Sequence, residues 1–181
     1  MVSRKISVVL VTLLLATAVT APAWAKKSLP AVNDEGMELV KDSKLATVYA
    51  DPGADLSIYS KVWLKDATVA FRKNWQRDQN RGVSSLRVKT SDMERIQESV
   101  ATTFREVFTQ ELIDGGYELA EEAGPDVLMV SPAIIDLDVH APDVRGASRV
   151  YSYSESAGEM TLKLELFDSI TNDKIATATD R

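Results

Sequence analysis

The sequence predicts an α+β fold: an antiparallel or mixed sheet of about four to five strands with one long amphipathic helix packed on one face. Three observations carry this expectation. One stretch repeats apolar residues at helical spacing, several shorter stretches alternate apolar and polar residues, and 156 of 181 residues remain once an N-terminal leader is set aside. That length suits about one domain and buries a real core without disulfides or metal.

The leader is the clearest element. Arg4 and Lys5 precede the apolar run from Ile6 to Ala16, Pro22 breaks any helix, and Ala23-Trp24-Ala25 puts small residues where a signal peptidase reads them. Charged, apolar and A-x-A regions in that order describe a cleavable signal peptide over residues 1–25. The apolar run is shorter than the about 20 residues of a membrane span, although an uncleaved anchor is the competing reading. The expected product is periplasmic or secreted, with no transmembrane segment after signal removal. Cysteine is absent, which removes disulfides, thiol catalysis, Cys-ligated zinc and a cysteine-linked lipid anchor. Losing the leader's two positive charges moves the net charge from −6 to −8. An acidic balance argues against bulk nucleic-acid binding, which needs a positive field.

Residues 26–44 are polar and without strong periodicity, and read as an N-terminal arm ahead of a single domain over 45–181. Asp51-Pro52-Gly53-Ala54-Asp55 is a dense turn signal. Tyr59 to Phe71 is rich in β-formers and reads as one strand, with Ala67, Val69 and Phe71 on one face. Arg72 to Thr90 is polar and basic, and reads as an irregular loop.

The helix is expected from about Asp92 to Asp114. Ser91 and Glu94 have the spacing of a capping box. Ile96, Val100, Phe104, Val107, Phe108 and Leu112 form one stripe. Gly115-Gly116 ends it, because glycine accepts the left-handed conformation just past a helix. A one-sided stripe suits a helix lying on a sheet.

Tyr117 to Leu119 is a short extended piece and Ala123-Gly124-Pro125 a turn. Asp126 to Val139 is a long strand in which Pro132 calls for an edge position or a bulge. In its second half Ile135, Leu137 and Val139 alternate with Asp136, Asp138 and His140, the pattern of a half-buried strand. Residues 141–157 read as a loop. Glu159 to Phe167 alternates again, Thr171-Asn172-Asp173 turns the chain, and Ile175 to Thr179 returns. So few helices would leave much of a sheet face uncovered, and a C-terminal helix is expected to be missing from this chain.

Four segments give the chain a resemblance to a known family: Tyr49 to Leu56 with Tyr59 and Val62-Trp63-Leu64; the helix end Gly115-Gly116-Tyr117-Glu118-Leu119; Gly124-Pro125-Asp126-Val127-Leu128; and Glu159-Met160-Thr161-Leu162 with Leu166-Phe167-Asp168-Ser169. With these it resembles the uncharacterised bacterial envelope proteins, many of them lipoproteins, grouped as domain of unknown function 3313. The resemblance implies a small envelope domain with an antiparallel sheet backed by helices. It implies no activity, cofactor or site residue. Many members carry a lipobox cysteine, which this chain lacks.

Two constellations carry chemistry. Asp136-x-Asp138-x-His140 would align two carboxylates and the one imidazole of the chain on a strand face. Such a set offers ligands for zinc or manganese or an acid–base pair; it is equally the wet face of a half-buried strand. The second is a block of charge. Lys61 to Lys89 holds eight basic and two acidic residues, whereas Thr90 to Arg181 holds seven basic and 19 acidic. Arg72, Lys73, Trp75, Arg77 and Arg81 interleave guanidinium groups with an indole, which suits an anionic glycan, a lipid headgroup or an acidic protein patch. The alternative is a solvated loop that neutralises the acidic remainder. Tyr151-Ser152-Tyr153 is a further possible contact, or strand. Gly-x-Ser-x-Gly and phosphate-cradling glycine loops do not occur. The expectation is a non-enzymatic envelope protein, without cofactor, that binds a partner through the basic block or an exposed sheet edge. The alternative is a metal-dependent protein using Asp136, Asp138 and His140.

Overall fold

A computed structural model of the chain describes residues 29–81, 87–139 and 158–181. The leader, His140 and the Tyr151–Tyr153 pair lie outside the described residues.

The elements in chain order are β1 (Glu38–Leu39), β2 (Thr47–Ala50), β3 (Lys61–Leu64), β4 (Thr68–Phe71), α1 (Trp75–Gln79), α2 (Thr90–Asp114), β5 (Glu118–Leu119), β6 (Val127–Asp138), β7 (Glu159–Asp168) and β8 (Lys174–Asp180). All eight strands join one mixed sheet of order β1-β2-β8-β7-β6-β3-β5, with β4 also beside β6. The sheet is therefore larger than the four to five strands expected. The difference comes from two-residue edge strands with no periodicity to read, and from a Tyr59–Phe71 segment that is two strands.

Those two strands share one partner. β3 runs parallel to Val127–Val130 of β6, and β4 runs parallel to its later half from Ala133 to Leu137. Pro132 sits between the two pairings, fully buried in a central strand and opposite Leu164 of β7. It is thus neither on an edge nor in a bulge. Its tolerance follows from parity. The Val130 carbonyl accepts from Lys65 N–H on the β3 side, and backbone groups two residues apart point the same way. The missing Pro132 N–H therefore faces the break between β3 and β4, where no ladder bond is lost.

A parallel pair needs a long crossover, and α2 lies within the one that joins β4 to β6. Its stripe meets the sheet where Phe108 and Leu112 pack on Val62, Leu64 and Val130, flanked by Leu128, Leu164 and Leu166. Val107 is exposed rather than part of the contact, and Phe104 stacks on Phe108 with ring centroids 5.0 Å apart. The helix and its capping box start two residues earlier than expected, at Thr90 and Lys89. Lys89 precedes the first turn, and Asp92, not Glu94, accepts its N–H at 2.9 Å. The C-terminal stop is as expected. Gly116 has φ +85°, Tyr117 N–H donates to the Leu112 carbonyl and Gly116 N–H to that of Ile113, which is a Schellman closure.

The basic stretch after β4 is not wholly irregular, since α1 lies in it. The polar arm also joins the sheet in its described part: β1 pairs with β2, and Met37 is buried. The β7–β8 turn is where it was expected, with Asn172 at φ +60°. Among the described residues no helix is long and apolar enough to cross a membrane.

Candidate functional site

Trp75 anchors the basic segment. It is 1% exposed, stacks on Phe71 with ring centroids 4.2 Å apart, and donates its indole N–H to the Val139 carbonyl at 2.8 Å. Trp75 is therefore core, which corrects its expected place among contact residues. The correction has a simple cause: an indole with a satisfied N–H and an aromatic neighbour is driven under the helix by burial. Helical rotation is about 100° per residue, so pinning Trp75 inward turns Arg77 outward.

Arg72 is also structural. Its Nε donates to Asp138 at 2.6 Å and its Nη1 to Asp78 at 2.8 Å. Its hydrogen bonds to Asp78 and then to Asp138 hold the Arg72 guanidinium above its ordinary range. The bond from Arg72 is the first cause holding Asp78 below the usual carboxylate range. Lys73 is exposed on the turn before α1.

Arg77 and Arg81 remain outward, with side chains 65% and 78% exposed. With Asn80 and Arg87 they line an open groove of about 470 Å³. Arg87 stands across it because the chain at Val88 is clamped to α1. Asn80 Nδ2 donates to the Val88 carbonyl at 3.0 Å, Val88 N–H donates back to Asn80 Oδ1 at 2.7 Å, and Gln76 Nε2 donates to the same carbonyl at 3.1 Å. Among the described residues the carboxylate paired with the groove arginines is Asp78, which lies 3.4 Å from Arg77 and 3.9 Å from Arg81. Its closest bond goes to Arg72. Three guanidinium groups thus line one groove, two of them beside a carboxylate already engaged by Arg72, and the local field is positive on an acidic chain.

Sequence reasoning found Arg77 and Arg81 but missed Arg87 and Asn80. Arg87 was inside the counted basic block. Asn80 carried no signal, because its role depends on a contact eight residues away along the chain.

The acidic row behaves differently from a strand face. Asp136 has φ +53°, and the β6–β7 register shifts between Ile135 and Asp138. Burial accordingly passes from Val130, Pro132 and Ile134 to Leu137 across this bulge, so strict alternation does not carry through. Asp136 and Asp138 line a cleft of about 260 Å³ with Arg72, Glu159, Met160, Thr161 and Arg181. Arg72 takes Asp138, and Arg181 takes Glu159 at 2.6 Å. Among the described residues no group of three His, Asp or Glu is placed to hold a metal ion.

At the other end of β6, residues in and beside the segments that carry the resemblance fasten one another. Tyr59 donates to Asp168 at 2.9 Å, Lys61 pairs with Asp126 at 3.1 Å, and the Ser169 hydroxyl both donates to the Gly124 carbonyl and accepts its N–H. These groups satisfy each other and present no open chemistry.

The family model described as Protein of unknown function (DUF3313) matches residues 30–181. No curated protein matches the chain, and no solved structure does.

Proposed function

This chain belongs to the DUF3313 family, whose description assigns no function, and from that premise we propose that it is an exported, non-enzymatic envelope protein that binds an anionic partner through the arginine groove beside α1. The observation that carries this reading is the convergence of Arg77, Arg81 and Arg87 on one groove, with Asp78 beside Arg77 and Arg81 already bonded to Arg72. Such an arrangement costs electrostatic free energy in the free protein and is relieved when an anion arrives. Export is supported by the leader sequence, Arg4 to Ala25. The metal reading is disfavoured by the Arg72 guanidinium bonded to Asp138.

A pull-down from envelope extract tests the proposal. The chain beginning at Lys26 serves as bait beside an Arg77→Glu, Arg81→Glu, Arg87→Glu variant. Arg72 is left intact, because changing it unpairs Asp78 and Asp138 and confounds folding with binding. The expected outcome is a partner recovered by the native bait and lost with the variant. Equal recovery by both baits removes the groove from the function.

A further inference from the structure

We infer that the groove takes a phosphoryl group, and that Asn80 is the positioning residue that holds Arg87 against α1 for this purpose. The inference rests on the binding role proposed above and names the chemistry of its ligand.

Among the described residues the groove is lined by three arginines and one amide. The indole of the basic block is not offered to stack on a sugar, because Trp75 is buried beneath the helix. What the lining does offer is guanidinium forks. Each guanidinium carries five N–H donors in one plane. A carboxylate brings two oxygens and a single charge, which one fork satisfies. A phosphoryl group brings three oxygens and up to about two charges, so forks from different directions can grip it together. Arg77 and Arg81 project from or just beyond α1, and Arg87 comes from the opposite strand of chain. That geometry suits an acceptor approached from two sides.

The site is also pre-organised. Asn80 exchanges two hydrogen bonds with the Val88 peptide, and Gln76 adds a third. The backbone beside Arg87 is therefore fixed before any ligand arrives, which lowers the ordering cost of binding. The groove is open and about 470 Å³ in volume, which leaves room for a phosphoryl group among the guanidiniums. Two sources present such a group, an anionic phospholipid headgroup or a free phosphate ester.

The test uses the chain from Lys26 onward and two probes. The first is inorganic pyrophosphate, titrated calorimetrically. The second is a pair of vesicle preparations, phosphatidylcholine alone and phosphatidylcholine with phosphatidylglycerol, scored by co-sedimentation. Saturable pyrophosphate binding is expected, weakened about tenfold by each of Arg77→Ala, Arg81→Ala and Arg87→Ala. Asn80→Ala is expected to weaken it by a similar factor. Because Asn80 acts through Arg87, Arg87→Ala should cost little further in the Asn80→Ala background. A merely structural Asn80 would leave the two losses independent and overturn its assignment. Retention on the phosphatidylglycerol vesicles, released by pyrophosphate, supports the inference with a lipid source. Pyrophosphate binding without vesicle retention supports it with a free ester. Failure to bind either probe overturns it. If the arginine-dependent pull-down then still succeeds, the binding role stands and the phosphoryl assignment alone falls; if that also fails, both fall.

Discussion

Asn80 and Val88 are joined by two reciprocal hydrogen bonds, 3.0 Å from the side-chain amide to the carbonyl and 2.7 Å from the backbone N–H to Oδ1. This small ring of bonds does for the basic segment what a ladder does for a strand. It gives the Val88 amide a fixed partner and sets the far wall of the groove. Asn80→Ala should therefore speed hydrogen exchange at Val88 by at least an order of magnitude, while amides of β6 and β7 keep their rates. Unchanged exchange at Val88 would show that the clamp does not hold in solution.

Trp75 and Arg77 sit two residues apart and should respond oppositely to truncation. Trp75→Ala removes a buried ring and orphans the Val139 carbonyl, and should cost about 3–5 kcal/mol. Arg77→Ala, on the open surface, should change stability by less than about 0.5 kcal/mol. Urea unfolding of the two variants measures both. A small loss for Trp75→Ala would contradict its placement in the core.

Gly158 should not accept a side chain. A methyl at this position would overlap the Asp138 carbonyl at the β6 bulge, and the neighbour is backbone, which cannot swing aside. Gly158→Ala should destabilise by about 2 kcal/mol or more, measured by thermal or urea unfolding. Native-like stability would mean that the start of β7 adjusts freely.

The Tyr59–Asp168 pair sets an alkaline limit. Burial first, and then the bond to Asp168, raises the Tyr59 phenol to about 12 from its ordinary value of 10.0. The folded state therefore favours the protonated phenol. Its contribution is complete below about pH 10 and is lost as pH rises toward 12. Stability of the native chain should fall through that window, whereas Tyr59→Phe should be about 1 kcal/mol less stable at neutral pH and flatter above pH 10. Parallel slopes for the two proteins would contradict the linkage.

The parts legible in sequence were those set by local periodicity. The α2 stripe, the Gly115-Gly116 stop, the alternation of β7 and the turn at Asn172 all follow from residues within one or two turns of chain. The parts that were not legible depend on distant partners. Pro132 looked like an edge signal, because nothing in the sequence says that its two neighbouring strands part company beside it. Asp136 looked like one step of a regular alternation, because an aspartate that enters the left-handed region leaves no mark on its neighbours. Trp75 looked like a contact residue among arginines, because its acceptor, the Val139 carbonyl, lies at the far end of another strand. The candidate site was half legible for the same reason: composition exposed Arg77 and Arg81, while the clamp that adds Arg87 is a tertiary contact.

Arginine-selective modification by phenylglyoxal, read by mass spectrometry with and without envelope extract, tests the central claim most directly. Arg77, Arg81 and Arg87 should be protected together by the extract, while Arg105 and Arg181, paired with Asp66 and Glu159, react as before. Equal modification of all five arginines under both conditions would contradict the claim.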